Sequence, residues 1–147
     1  MLSVILACVV LTQSAAAPKA PARTVEMTGT DNMKYSVTRI TAKRGETLRI
    51  VLSAVGKMPK LSMAHNVVVL NKGVNAAKVN AAAALARESD FIPPAHRADI
   101  LAYTGLAGNG ETVEVTFVVP QQTGNYEFIC TFPGHFNLGM KGLIVVQ

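Results

Sequence analysis

The chain has 147 residues, half of them apolar, and fourteen Lys and Arg against nine Asp and Glu give a net charge of +5. That length and apolar share suit one domain with a proper core. The basic residues are scattered and have few aromatic neighbours, which argues against a nucleic-acid surface; a modest positive charge serves solubility or steering toward an acidic partner.

Residues 1–17 carry no charge, are mostly apolar and end in Ser14-Ala-Ala-Ala17. This is the pattern of an export leader with a small-residue cleavage zone, although a basic start is missing. Two fates stay open for it. It is removed as a signal peptide, or Val4-Ile-Leu-Ala-Cys8 is a lipoprotein site and Cys8 carries a lipid anchor. The apolar run is shorter than the roughly 20 residues of a transmembrane helix. Residues 18–22, Pro-Lys-Ala-Pro-Ala, read as an extended tether, and 23–147 as the domain. The expected location is periplasmic or exported, at a membrane surface if Cys8 is lipidated.

Within the domain, Arg23–Thr28 reads as a first strand. Tyr35–Ile40 and Glu46–Leu52 alternate with a two-residue period, separated by the turn Lys43-Arg-Gly-Glu46. His65–Leu70 is β-branched and apolar, as a buried strand requires. Asn75–Ser89 departs from this pattern: its Ala81–Ala86 core favours helix, and Pro93-Pro94 stops the run. It is expected to be a solvent-covering helix inserted among strands. Ala98–Tyr103, Thr112–Val119, Tyr126–Cys130 and Gly142–Val146 supply further strands, with a loop at Gly105–Gly110 and a turn at Pro120–Asn125. Short, regularly spaced strands with turn signals predict an all-β Greek-key sandwich with one inserted helix around residues 75–89.

The chemistry concentrates in Cys130-Thr-Phe-Pro-Gly-His135-Phe-Asn-Leu-Gly-Met140, where a thiol, an imidazole and a thioether recur every five residues. Cys8 and Cys130 are the two cysteines, so Cys130 stands alone in the domain. Exported cysteines usually pair, and metal ligation explains a lone one most economically. Soft sulfur with imidazole suits copper, and two His, one Cys and a long axial Met describe a blue-copper electron-transfer site. The loop lacks the second histidine; His65, in Ser62-Met-Ala-His65-Asn66, is the candidate. One thiolate, two imidazoles and a distant thioether suit Cu(I) and Cu(II) about equally, so little geometry changes when an electron arrives. Zinc accepts the same thiolate and imidazoles, which leaves the metal loaded in the cell open.

The neighbours fit the same logic. Pro133 and Gly134 let the chain bend so that His135 turns back, Phe132, Phe136 and Leu138 keep water away, and Asn66 is placed to hydrogen-bond the ligand loop. His96 has no ligand neighbours and reads as a surface histidine, and the remaining methionines are too dispersed for a copper-trafficking motif. A copper chaperone or storage module is the alternative function. An enzyme would need a second site, for which the three histidines, with two already used, are too few.

The run Cys130-Thr-Phe-Pro-Gly-His135 followed by Met140-Lys-Gly, with Met63-Ala-His65-Asn-Val upstream, resembles the azurins and auracyanins of the plastocyanin/azurin cupredoxin family. The resemblance covers residues 23–147. It implies an eight-stranded Greek-key sandwich holding one type 1 copper, with His65, Cys130 and His135 as strong ligands, Met140 as the weak axial one and the Ala64 carbonyl on the opposite side. Four residues, Phe136–Gly139, separate His135 from Met140, as in auracyanins, whereas azurins have three. Azurins also have glycine at the place of Ala64 and tryptophan at that of Val67, and their disulfide has no equivalent. Expected partners are redox proteins such as cytochromes or copper enzymes. They would dock transiently on an apolar patch of Pro133, Phe136, Leu138, Pro59 and Leu61, with the ring edge of His135 as electron port.

Overall fold

Nine strands, one α-helix and two short 3₁₀ segments, at Arg87–Ser89 and Pro94–Asp99, make up the computed structural model, which describes residues 21–147. The leader, the lipid-anchor reading at Cys8 and residues 18–20 of the tether lie outside the described residues. In chain order the elements are β1 (Arg23–Thr30), β2 (Lys34–Tyr35), β3 (Arg39–Ala42), β4 (Thr47–Val55), β5 (Val68–Leu70), α1 (Ala76–Ala83), β6 (Ile100–Tyr103), β7 (Thr112–Val118), β8 (Gly124–Ile129) and β9 (Lys141–Val146). One sheet runs β2-β1-β4-β7 and the other β3-β9-β8-β5-β6, with β1–β4 and β3–β9 parallel and the remaining pairs antiparallel.

The two-residue period builds the core between these sheets. Along β4, Leu48, Ile50, Leu52 and Ala54 face inward, and Val67, Val69, Phe128 and Ile144 meet them from the other sheet. Each such side chain contributes about 1.5–3 kcal/mol by leaving water. The intervening residues of β5 and β8 face the other way: Val68, Leu70 and Ile129 form a second cluster with Ala76, Val79, Ile92 and Ile100. β5 reads as a continuous apolar run because both its faces are covered. The helical insertion is therefore the lid of a second small core as well as a cover against solvent.

Three elements differ from the sequence reading. Tyr35–Ile40 is not one strand: β2 ends at Tyr35 in the first sheet, the chain bends through Ser36–Thr38, and β3 begins at Arg39 in the second. Tyr35 and Ile40 are both buried although they stand five positions apart, an offset that would put them on opposite faces of an unbroken strand. Ladder pairing in the sixties is confined to Val68–Leu70; His65 instead makes an isolated bridge to Ala107. The helix is also shorter than expected. It spans Ala76–Ala83, with the Asn75 side chain accepting from the Lys78 N–H as N-cap, and a turn then leads to the 3₁₀ segment Arg87–Ser89.

Candidate metal centre

Cys130 directly follows β8 and Met140 directly precedes β9, so the antiparallel pair Ile129–Lys141 fixes both ends of the loop between them. The Cys130 N–H donates to the Met140 carbonyl (3.0 Å) and closes the loop, while the Met140 N–H donates to the His135 carbonyl (3.0 Å). Gly134 and Gly139 have φ of +86° and +90°, which only glycine adopts without strain, and they turn the loop back on itself. Lys34, from the opposite sheet, donates to the Leu138 carbonyl.

His65 reaches the same place from the other side of the sandwich end. Its N–H donates to the Ala107 carbonyl (2.9 Å) and its carbonyl accepts from the Ala107 N–H (2.8 Å). The next residue ties this segment to the loop. Asn66 accepts from the Thr131 N–H (2.9 Å) and donates to Thr131 Oγ1 (2.8 Å), both groups fully buried beside Cys130. Gly29 leaves the space needed, since a Cβ there would stand 2.9 Å from His65 Cγ and 3.0 Å from Met140 Cε. Those distances also bring the end of the Met140 side chain and the His65 ring to the same side of Gly29.

The donor atoms of His65, Cys130 and His135 lie within 4.8 Å of one another, all three residues buried. Cys130 Sγ is 3.4 Å from His135 Nδ1, and the two imidazoles stand 5.0 Å apart at 40°. Among the described residues, His65 Nδ1 is the one buried side-chain polar atom without a hydrogen-bond partner. An orphaned ring nitrogen beside a thiol and a second imidazole is what a soft metal ion would complete, so these residues fit a copper ion.

Burial governs the protonation of the group. It pushes the Cys130 thiol up to about 11, against backbone N–H groups of Asn66 and Phe132 that favour the thiolate. It brings His135 down to about 4, helped by the neighbouring His65, and lowers His65 as well. Near neutrality both rings are therefore uncharged, with a lone pair each to offer. In the metal-free protein the unfolded chain binds more protons than the folded one between the ordinary histidine value of 6.5 and about 4, so stability falls as pH drops through that window. The loss is on the order of 3 kcal/mol for His135. The thiol acts at the other end, where stability falls as pH rises from 9 toward 11. Urea unfolding of the metal-free protein should show its highest midpoint between these limits, and His135→Gln should flatten the acid limb.

His96 stays apart, paired with Asp99 (2.7 Å) on a 3₁₀ segment. Two neighbours of the site escaped the sequence reading. Ala107 carries no side-chain signal at all. Phe91 packs edge-on against Phe132 (5.2 Å), whose ring lies 4.9 Å from His135. It is delivered by two successive left-handed residues, Asp90 (φ 52°) and Phe91 (φ 61°), a strained pair that no residue pattern announces. Gly29 was detectable, because an isolated glycine in a strand marks a close approach.

Comparison with known proteins agrees with this geometry. The family model for copper binding proteins of the plastocyanin/azurin family matches residues 22–147. Auracyanin-B of Chloroflexus aurantiacus is 35% identical over 144 residues, covering 92% of this chain and 60% of that protein. The chain thus spans less than two thirds of that relative's length. The azurin of Alcaligenes faecalis is 34% identical over 123 residues, 82% of this chain and 94% of the azurin. Among solved structures, the dithionite-reduced auracyanin of Roseiflexus castenholzii superposes with a TM-score of 0.75 at 32% identity, covering 86% of this chain and 99% of the auracyanin. The all-β sandwich expected from the strand pattern is the fold these proteins share.

Proposed function

The chain belongs to the plastocyanin/azurin family of copper-binding proteins, and from that premise we propose that it carries single electrons between redox partners through one type 1 copper. The observation that carries this reading is the convergence of one sulfur and two imidazole nitrogens within 4.8 Å in a dry pocket. In this reading His65, Cys130 and His135 are the strong ligands. Met140 is the weak axial ligand and the Ala64 carbonyl a remote contact opposite it. A copper ion held there would supply a one-electron couple between Cu(II) and Cu(I). The protein's part is to hold the donors still, keep water out and deliver electrons to the surface. The role is that of a carrier, not an enzyme, working outside the cytoplasm, a location that the apolar run ending in Ser14-Ala-Ala-Ala17 supports.

For the docking surface we infer the apolar ground in front of His135. Leu61 is 85% exposed and Leu138 55%, Pro59 and Pro133 are exposed, and Phe136 is half-buried. The His135 ring itself is only 2% exposed, so electrons leave through its thin apolar cover rather than an open ring edge. A groove of about 610 Å³ lined by Leu61, Phe91, Phe132, Pro133, Lys60 and Arg87 runs beside the patch. Lys141 lies over the Phe136 ring (5.0 Å), and Lys34 holds the loop at Leu138. Cations around an apolar centre suit an acidic redox partner such as a cytochrome or a copper enzyme, in an encounter below ~1,200 Å².

Copper-reconstituted protein should cycle repeatedly between oxidised and reduced states without releasing metal. Release on reduction would favour copper delivery or storage instead. Leu138→Asp should leave the copper spectrum intact while slowing transfer from an acidic cytochrome by roughly tenfold, equivalent to about 1.4 kcal/mol of encounter energy. Unchanged stopped-flow rates would remove the patch from the reading.

A further inference from the structure

His135 and Met140 are joined by a tightly hydrogen-bonded stretch of backbone. The Leu138 N–H donates to the Gly134 and His135 carbonyls (3.2 Å each), the Gly139 N–H to the Phe136 carbonyl (2.9 Å) and the Met140 N–H to the His135 carbonyl (3.0 Å). With Gly139 left-handed (φ +90°), the last two bonds form the glycine-terminated ending that commonly stops a helix. His135 and Met140 stand at the two ends of its longer bond, which spans four residues. The turn thus sets their separation.

This ending leaves the Leu138 carbonyl without a partner in the loop, and Lys34 of the opposite sheet supplies one. A Cβ on Gly139 would stand 2.9 Å from Lys34 Nζ, so the ammonium rests on the turn itself. A cation at the carbonyl end of a helical turn is favoured by its dipole. Lys34 is exposed, and most exposed lysines are simply solvated. What sets this one apart is the hairpin that delivers it. Left-handed Met33 (φ 55°) precedes it, with the Met33 N–H donating to the Thr30 carbonyl (2.8 Å), and Lys34 pairs with Thr30. One position along, Tyr35 pairs with Gly29, where the backbone leaves room for the His65 ring and the end of Met140. The same hairpin flanks the site and grips the loop.

We propose that Lys34 is a positioning residue for the metal centre: by holding the Leu138 carbonyl, its ammonium keeps the turn from His135 to Met140 closed. Its consequence for electron transfer rests on the copper reading above, in which Met140 is the axial donor. A loop of fixed shape spares the site rearrangement between the two oxidation states. No bond forms or breaks at Lys34.

Lys34→Met keeps an apolar stem and deletes the donor. Lys141→Met is the control, since it removes an equal charge beside the same loop, over the Phe136 ring, without touching Leu138. In the metal-free protein, amide hydrogen exchange at Leu138, Gly139 and Met140 should quicken in Lys34→Met by about tenfold, the lower end for a hydrogen bond to a charged group. Exchange in β4 should stay as in wild type, and Lys141→Met should change neither. In the copper-loaded forms, the EPR pattern and visible band should shift in Lys34→Met and not in Lys141→Met. Unchanged exchange in the loop would overturn the proposal. Equal spectral shifts in both variants would also overturn it, reducing Lys34 to a nearby charge. A wild type without a thiolate band would overturn the copper reading, while the metal-free exchange still decides whether Lys34 holds the turn.

Discussion

Cys130→Ser should abolish the intense visible absorption of the Cu(II)-loaded protein. That band arises from charge transfer out of a thiolate, and Cys130 is the one free cysteine among the described residues. Serine is nearly isosteric, and the fully buried position keeps its hydroxyl protonated and a poor ligand. The two imidazoles remain, so Cu(II) can still bind, in the tetragonal nitrogen and oxygen geometry it prefers. The EPR spectrum should accordingly change from the narrow copper hyperfine pattern of a thiolate site to the wide pattern of an ordinary Cu(II) complex. Affinity for Cu(I), which depends on soft sulfur, should fall by orders of magnitude. Visible and EPR spectra of wild type and variant, loaded in parallel, decide the matter. A serine variant that stays blue would remove Cys130 from the ligand set.

Phe128→Ala should cost the metal-free protein about 3–5 kcal/mol, a large part of the 5–15 kcal/mol that holds a domain together. Phe128 is fully buried within the main cluster, its ring tilted 51° against that of Tyr35 and its backbone opposite Gly142 across the β8–β9 ladder. Its ring occupies the space where residue 142 would carry a side chain: a Cβ there would stand 2.2 Å from Phe128 Cζ. Truncation to alanine therefore opens a cavity lined by backbone and by Tyr35, which cannot collapse without moving β9. In urea the unfolding midpoint should drop while the slope stays unchanged. Copper should restore part of the loss, because a ligand that binds the folded state alone stabilises it by mass action. A loss under 1 kcal/mol would mean that the ring is not the keystone its burial suggests.

The site was readable where its chemistry is local. Cys130 and His135, which the structure brings together, lie five positions apart in one short stretch, and their donor types and spacing carry the signal without any knowledge of the fold. His65 was readable only as the missing member of that set, and Asn66 only as its neighbour. What could not be read is what depends on long-range placement. Ala107 holds His65 through backbone alone. Phe91 reaches Phe132 by way of two left-handed residues whose types do not require them. The break within Tyr35–Ile40 was hidden because alternation reports which residues face inward, not which sheet they face from. The helix was overestimated because its alanines carry high propensity past Ala83, while the packing that stabilises it ends with Val79 and Ala83.

The parallel pairing of β3 with β9, which joins Arg39 to Leu143 and Ala42 to Val146, also has a kinetic side. Such contacts close most of the chain into one loop, and their entropy must be surrendered before they return any stability, so folding is slow. The metal pocket cannot take shape earlier, because Met140 and the far end of its loop are anchored by β9 itself. The fully buried place of Cys130 thus depends on contacts between residues more than a hundred positions apart, as well as on its own loop.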